Sequence, residues 1–199
     1  MKMKSKKGIA FISLGLALII GAMSLITYNK IEEKRAGENA ELVLQELDNK
    51  LSNEIPDPDP AYKVENEVPM PTVVIDGYEY VGKIYFPKLK LTLPIISGVG
   101  DKRLKKAPCK YFGSVYTDNM ILAGHNYITH FGRIDNLRYG DKVVFTDVDG
   151  NEFKYKVLGT EIINGNDGYT LEEGDWDLSL FTCTMSGRSR ITVRCVREK

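Results

Sequence analysis

The chain has 199 residues, with 27 basic and 27 acidic residues and a formal net charge of zero. This length suits one folded domain with appended segments. The balanced charge and the lack of a basic patch argue against binding of nucleic acid. With only three cysteines and two histidines, few combinations of side chains could form a catalytic site.

The N-terminal residues predict a membrane anchor. Four lysines within residues 1–7 precede Gly8–Tyr28, a run of 21 residues without charge. As a helix this run would extend about 31 Å, close to the thickness of the hydrocarbon core of a bilayer. The lysines favour a cytoplasmic N-terminus, residues 1–7, with the rest of the chain outside the cell. A cleaved signal peptide is the alternative, but the run is longer than the usual hydrophobic region and no clear cleavage site follows it.

Residues 29–71 are expected to form an extracellular stalk or linker. The composition from Lys30 to Asn53 favours a helix whose one narrow apolar stripe includes Leu47 and Leu51. The prolines between Ile55 and Pro60 then favour an extended chain. We therefore expect this segment to hold the following domain away from the membrane.

From Thr72 to the C-terminus the pattern is that of β-structure. About eight short strands are expected within residues 72–199, and Asp149-Gly150 between two apolar runs predicts a hairpin. The predicted strands include Tyr78–Phe86, Leu89–Ile95, Lys142–Thr146, Phe153–Val157, Leu178–Thr182 and Ile191–Arg197. Regular turns without long helices indicate a mainly all-β domain that forms a closed or nearly closed barrel.

The last two predicted strands place Cys183 opposite Arg190. The apolar residues of each strand share one face, so Cys183 in the first strand and Arg190 in the second both lie on the other face. The six connecting residues are too few for a crossover between parallel strands. We therefore expect an antiparallel hairpin with Cys183 and Arg190 side by side at its mouth.

His125 follows the apolar run Met120–Ala123 and a glycine. A cysteine, a histidine and an arginine can supply a nucleophile, a proton carrier and a cationic anchor for an oxyanion. Each residue alone has a simpler interpretation, because a cysteine at the end of a strand usually packs in a core. Taken together with the facing of Cys183 and Arg190, the three residues make a catalytic site as reasonable as these simpler interpretations.

The other cysteines and the histidine spacing carry less information. Cys195 shares a face with apolar residues, so we expect a buried, inert thiol. A disulfide between Cys109 and Cys195 is left open. With His125 and His130 five residues apart and the cysteines scattered, we predict no metal site and no cofactor, although calcium binding by loop carboxylates is left open.

Three motifs resemble those of the sortases, the membrane-anchored cysteine transpeptidases of Gram-positive bacteria. The family's nucleophile motif TLxTC is matched by Ser179-Leu180-Phe181-Thr182-Cys183, with serine in place of the first threonine. Its histidine follows an apolar strand and a glycine, as in ILAGHN. Its arginine opens the last strand, as in RITVRC. The resemblance covers about residues 73–197.

The resemblance implies a closed, eight-stranded sortase-type β-barrel, preceded by one transmembrane helix and a stalk. It implies that Cys183 is the nucleophile, His125 the general acid and base, and Arg190 the anchor for substrate and oxyanion. Thr182 would help to position the substrate. His130 and Arg188 match the family motifs less well, and we expect both to be bystanders.

The same resemblance implies the partners. The substrates would be secreted proteins with a C-terminal LPXTG-like sorting signal, and the acceptor a peptidoglycan amine or a pilin lysine. Pilin-type class C members often carry an Asp-Pro-aromatic lid and a second membrane span. Asp59-Pro60-Ala61-Tyr62 is an imperfect lid and no second apolar run is present, which favours a class A- or D-like, wall-anchoring role.

Two other functions remain open at this point. A secreted cysteine peptidase would use the same residues but would form product without an added amine. A membrane-tethered β-domain that binds wall components without chemistry would have an unreactive Cys183.

Overall fold

The computed structural model describes residues 6–54, 70–165 and 168–198. The predicted proline-rich break at 55–60 and the imperfect lid at 59–62 lie outside the described residues, as do Lys2 and Lys4 of the four N-terminal lysines. The helices are α1 (Lys6–Glu54), α2 (Asp101–Leu104) and α3 (Gly168–Glu172), with 3-10 turns at Pro87–Leu89 and Ile134–Asn136. The strands are β1 (Val73–Ile75), β2 (Tyr78–Phe86), β3 (Leu91–Ile96), β4 (Cys109–Phe112), β5 (Met120–Gly124), β6 (Lys142–Asp147), β7 (Glu152–Asn164), β8 (Leu178–Cys183) and β9 (Ser189–Arg197).

Helix α1 is one uninterrupted helix of 49 residues. It joins the apolar run and the polar helix that the sequence predicts as separate segments, and no proline interrupts residues 6–54. The helix is long and apolar enough to cross a membrane. An 18-residue window in it has a mean hydropathy of 2.5 and is not buried within the protein. Helix α1 is therefore a candidate membrane anchor.

The second half of α1 packs against the β-domain. Its buried residues are Ala36, Ala40, Val43, Leu47 and Leu51, at the three- and four-residue spacing of one helix face. Leu47 is fully buried and belongs to a cluster that includes Tyr80, Ile96 and Cys109. The predicted apolar stripe is thus covered by the barrel, so the helical part of residues 29–71 does not stand apart from it. The boundary at residue 72 stays a prediction.

Eight of the nine strands close into a barrel. The strand order is β1-β2-β3-β4-β5-β8-β9-β7-β6, and β6 also pairs with β2. This last pairing, in which Gly82 lies opposite Asp147 and Tyr85 opposite Val144, closes the sheet. Strand β1 adds to β2 outside the ring. The predicted closed, eight-stranded β-barrel is confirmed, and so is the antiparallel hairpin at Asp149-Gly150.

The barrel interior is filled by alternate side chains of its strands, as the pleat of a β-strand requires. Its largest buried members include Phe86, Phe145 and Tyr155.

Cys195 belongs to this interior cluster, which confirms the expected buried thiol, whereas Cys109 belongs to the cluster under α1. All three cysteines are free. Burial raises the pKa of Cys109 to about 12 and also raises the pKa of Cys195, so both are neutral thiols near pH 7.

Candidate active site

Strands β5, β8 and β9 bring the three candidate residues into one row. Strands β8 and β9 are antiparallel neighbours, and Cys183 pairs with Arg190 at the end of their register, as the sequence predicts. Strands β5 and β8 are parallel, and their register ends with Gly124 beside Thr182. His125 directly follows Gly124, and Cys183 directly follows Thr182, so His125 and Cys183 lie side by side at the ends of two neighbouring strands. Neighbouring strands are usually about 4.8 Å apart. We call His125, Cys183 and Arg190 the candidate row.

Cys183 is the accessible thiol of the chain. It is partly exposed on the outer face of β8, whereas Leu178 and Leu180 of the same strand are buried in the barrel. Cys109 and Cys195 are fully buried. The alternation of facing predicted from the sequence is confirmed, and only Cys183 can meet a substrate without unfolding of the barrel.

His125 begins a compact turn, residues 125–132, which we call the histidine loop. The phenyl ring of Phe131 packs on the backbone of Gly124, where an added Cβ would lie 2.6 Å from ring atoms. The Phe131 N–H donates to the carbonyl of His125 at 3.1 Å, and the His130 N–H donates to the carbonyl of Tyr127 at 2.9 Å. Glycine before the histidine is therefore needed to let the loop fold back on its strand.

The surroundings of His125 favour its neutral form. Burial lowers its pKa below the ordinary value for histidine, the positive charge of Lys105 lowers it further, and Asp101 partly opposes both. The ring also stacks on Tyr127, with 4.8 Å between the ring centroids. At pH 7 His125 is thus an unprotonated imidazole that can accept a proton.

His130 is a residue of the histidine loop whose side chain is turned away from the protein surface. It is fully buried, and burial lowers its pKa to about 4, with His125 adding to the effect and the backbones of Ala36 and Lys106 opposing it. Its ring contacts Tyr127 at 5.5 Å between centroids. Within the described part of the chain neither ring nitrogen has a partner at good hydrogen-bonding geometry. Its burial supports the expectation that it is a bystander to the chemistry.

Arg190 borders an open groove beside the candidate row. Its Nη1 donates to the carbonyl oxygens of Gly187 at 3.1 Å and Ser189 at 3.3 Å, so the guanidinium is held by its own hairpin. The groove has a volume of about 530 Å³. It is lined by Ile162, Asn164 and Gly165 from the end of β7 and by Gly187, Arg188, Ser189 and Arg190 from the hairpin.

Thr182 does not face the candidate row. Its side chain is buried on the opposite face of β8 from Cys183, and its hydroxyl finds no hydrogen-bond partner among the described residues. A direct contact of the Thr182 side chain with substrate is therefore not offered by this arrangement. Its predicted role in positioning substrate stays a prediction, and it would act through the backbone.

Arg194 is a buried cation that the sequence analysis missed. It is 4% exposed and donates to the carboxylate of Glu161 at 2.6 Å, to the hydroxyl of Ser179 at 2.8 Å and to the carbonyl oxygens of Thr170 and Leu171. It therefore ties α3 to the outer face of β8 and β9. The sequence could have indicated it, because Arg194 is four residues after Arg190 in the same strand and so lies on the same face of β9.

Tyr127 is a second residue that the sequence analysis missed. Its ring lies between those of His125 and His130, and nothing in its spacing after His125 marks it in the sequence.

Among residues 6–54, 70–165 and 168–198, no group of three or more histidine, cysteine, aspartate or glutamate residues could hold a metal ion.

Comparison with known families gives a match that contains the whole candidate row. A family model described as the sortase domain matches residues 84–198, more than half of the chain. Sortase A of Bacillus anthracis is 30% identical over 115 residues, which are 55% of this chain and 54% of that protein. The chain thus matches about half of the length of this relative.

Solved structures give the same fold. Sortase C1 of Streptococcus agalactiae is 26% identical with a TM-score of 0.55, and the match covers 63% of this chain and 71% of that one. A sortase D5 transpeptidase of Clostridium perfringens has a TM-score of 0.56 at 17% identity, covering 83% of this chain and 99% of that one. At that identity the likeness supports the fold alone.

Proposed function

The chain belongs to the sortase family, and we propose that it is a membrane-anchored cysteine transpeptidase. The observation that carries the proposal is the row of His125, Cys183 and Arg190 across three neighbouring strands. Within this row the one accessible thiol lies beside a histidine whose pKa is lowered by burial. Nucleophilic catalysis needs such a pair, a nucleophile with a base beside it.

The first half of the reaction forms a thioester. The proton of the Cys183 thiol passes to the neutral imidazole of His125, and the thiolate sulfur attacks the carbonyl carbon of the scissile peptide bond. The negative charge then moves to the carbonyl oxygen, which the Arg190 guanidinium stabilises. As the C–N bond breaks, the imidazolium of His125 gives its proton to the departing amine.

The second half transfers the acyl group to a new amine. His125 takes a proton from the incoming amine as the amine nitrogen attacks the thioester carbon. The tetrahedral intermediate collapses with loss of the Cys183 sulfur, which regains a proton from His125. One peptide bond breaks and one forms, so no external source of energy is needed.

The groove beside Arg190 is the proposed place for the acyl-donor peptide. Its walls come from the end of β7 and from the hairpin that joins β8 to β9. Arg190 lines this groove and Cys183 does not, so an extended peptide would have to run from the groove past Arg190 for its carbonyl to reach the thiol. To use this site the guanidinium must exchange its bonds to Gly187 and Ser189 for bonds to the substrate.

We propose secreted proteins with an LPXTG-like C-terminal sorting signal as substrates and a cell-wall peptidoglycan amine as acceptor. The family supports substrates with sorting signals and amine acceptors, and the imperfect lid favours wall anchoring over pilus building. In this proposal α1 anchors the enzyme in the cell membrane, with its N-terminus in the cytoplasm and the barrel outside.

The test is to trap the acyl-enzyme and then resolve it. The full chain in detergent micelles is mixed with a peptide bearing an LPXTG-like motif, and the intact mass is measured with and without an added amine. We expect a thioester on Cys183 that decays quickly to the amide when the amine is present. In Cys183→Ala the adduct and the turnover should both be absent, whereas Cys195→Ala should keep the adduct.

The two rival functions give different results in the same experiment. A hydrolytic cysteine peptidase would release free acid at a rate that does not depend on the amine. A non-catalytic binding domain would give no adduct and an alkylation rate for Cys183 no higher than that of a free thiol. An adduct on Cys109 or Cys195 would refute the assignment of the nucleophile.

A further inference from the structure

Helix α1 touches the histidine loop directly. The carboxylate of Glu33 accepts a hydrogen bond from the backbone N–H of Ile128. The backbone carbonyl of Glu33 accepts a second one from the Thr129 hydroxyl at 3.1 Å. One residue of the helix therefore holds two consecutive residues of the loop that carries His125.

Gly37 brings the two backbones close enough for these bonds. A Cβ added at Gly37 would lie 2.9 Å from Cγ2 and 3.2 Å from Cβ of Thr129. Glycine costs helix stability relative to alanine, by roughly 0.5–1 kcal/mol. Glycine at a point where the loop packs on the helix allows that close approach.

The loop transmits this contact to His125 because it is tied together internally. The Phe131 N–H donates to the His125 carbonyl, and the N–H groups of His130 and Gly132 both donate to the Tyr127 carbonyl. The ring of Tyr127 in turn stacks on that of His125. A shift of the loop at Ile128 would therefore move the imidazole relative to Cys183.

We propose that Glu33 is a positioning residue for His125, so that the membrane-proximal part of α1 belongs to the catalytic apparatus. Glu33 touches neither substrate nor Cys183 in this role. It fixes the loop so that the imidazole stays within reach of the thiol, and geometry of this kind governs the rate of proton transfer. The inference rests on the proposed function, in which His125 carries the proton.

Three substitutions in the full chain, in detergent micelles, test the role of the carboxylate. Glu33→Ala removes the acceptor for the Ile128 N–H, and Glu33→Gln keeps an acceptor oxygen without the charge. Glu38→Ala is the matched control, because Glu38 lies on the same helix and its ion pair among the described residues is with the exposed Lys34. The readouts are kcat and KM on the sorting-signal peptide and the exchange rate of the Ile128 amide hydrogen.

We expect Glu33→Ala to lower kcat roughly tenfold, the equivalent of one lost hydrogen bond, with KM within about twofold of wild type. The Ile128 amide should exchange faster in this variant. Glu33→Gln should restore most of kcat and of the protection, and Glu38→Ala should behave as wild type. Wild-type kcat in Glu33→Ala, or a Glu33→Gln variant as impaired as Glu33→Ala, would overturn the proposal.

Gly37→Ala tests the close approach itself. Alanine favours the helix more than glycine does, which offsets part of the cost of the contact with Thr129, and the melting temperature serves as the folding control. The added methyl should displace Thr129, and kcat should fall with it. An unchanged kcat in Gly37→Ala would mean that the close approach has no part in catalysis.

The result can be separated from a failure of the proposed function. If the wild-type chain shows no acyl transfer, the transpeptidase proposal fails. The exchange of the Ile128 amide and the NMR shift of the His125 ring then decide the positioning role without any turnover. Should Glu33→Ala leave both unchanged, Glu33 does not position the histidine.

Discussion

Arg190 and Arg188 are two arginines of one hairpin that the structure places differently. Arg190 pairs with Cys183 in the strand register, whereas Arg188 is exposed and lies two residues earlier. Both line the groove. Only Arg190 is thus aligned with the thiol, so the two side chains should contribute differently to the transition state and to binding.

We expect Arg190→Ala to lower kcat by a factor of about 10²–10³, the usual effect of losing one oxyanion donor. Arg190→Lys should restore only part of it, because a point charge lacks the planar fork of a guanidinium. Arg188→Ala should mainly raise KM. Kinetics on one sorting-signal peptide, with melting curves as the folding control, check this. A larger loss of kcat in Arg188→Ala would show that the register does not select the catalytic arginine.

The pKa of His125 should respond to its neighbour Lys105. The positive charge of Lys105 disfavours the imidazolium, so Lys105→Gln should raise the pKa of His125. Lys102 lies in α2 and is not among the charges that shift the pKa of His125, which makes Lys102→Gln the control. NMR titration of the two histidine rings measures both values. In wild type both midpoints should lie below the ordinary histidine value, and that of His130 should be about 4. An unchanged His125 midpoint in Lys105→Gln contradicts the assignment.

At the scale of single residues, the sequence predicts relations between residues that are close together in the chain. The facing of Cys183 and Arg190 follows from alternation within one short hairpin, and the structure confirms it. The neighbourhood of His125 and Cys183 depends on the parallel pairing of β5 with β8, which no spacing reveals, so only the family resemblance predicted it. The contact of Glu33 with Ile128 could not be predicted from the sequence, because it joins segments far apart in the chain.

At the scale of a helix or strand, α1 shows what the sequence does not predict, namely the surface against which an element packs. Its apolar stripe was predictable from periodicity, but a stripe does not reveal what covers it. In the structure it covers a cluster around Tyr80 and Ile96. Strand β7 shows the same limit: its second half pairs with β9, Glu161 with Thr192 and Asn164 with Ser189. Polar residues there obscure the strand pattern, so the prediction ended it at Val157.

The packing of α1 on the barrel should contribute to stability. Leu47 is fully buried and Leu42, on the same helix, is 65% exposed. We expect Leu47→Ala to lower the free energy of unfolding by about 2–5 kcal/mol and Leu42→Ala to change it by less than about 0.5 kcal/mol. Chemical denaturation of the full chain in micelles, followed by near-ultraviolet circular dichroism, provides the comparison. Equal effects of the two substitutions would mean that α1 does not pack on the barrel in solution.

At the scale of the whole molecule, the proposed membrane anchoring by α1 would set where the candidate active site lies relative to the membrane. The apolar run ends at Tyr28, and Glu33, which holds the histidine loop, follows five residues later. At about 1.5 Å per residue this is a rise of only about 7.5 Å along the helix. The histidine end of the barrel should therefore face the membrane surface.

Two exposed apolar residues lie at opposite ends of the barrel and allow this orientation to be tested. Ile128 in the histidine loop is 61% exposed and Tyr139 is 79% exposed. The residue after Tyr139, Gly140, bonds to Val157, and Val157 pairs with Cys195. Cys195 lies opposite the start of β8, at the other end of that strand from Cys183.

We expect nitroxides on the lipid headgroups to quench the fluorescence of a fluorophore at position 128 and not that of a fluorophore at position 139. Ile128→Cys and Tyr139→Cys are each made in a Cys183→Ala background, where the remaining thiols of Cys109 and Cys195 are buried and should not react. The full chain is reconstituted in phospholipid nanodiscs, and quenching is compared with that in detergent without nitroxide. Ile128→Cys leaves the backbone N–H that binds Glu33 in place, so the labelled loop keeps its attachment to α1. Equal quenching at the two positions would mean that the barrel does not hold a fixed orientation on the membrane.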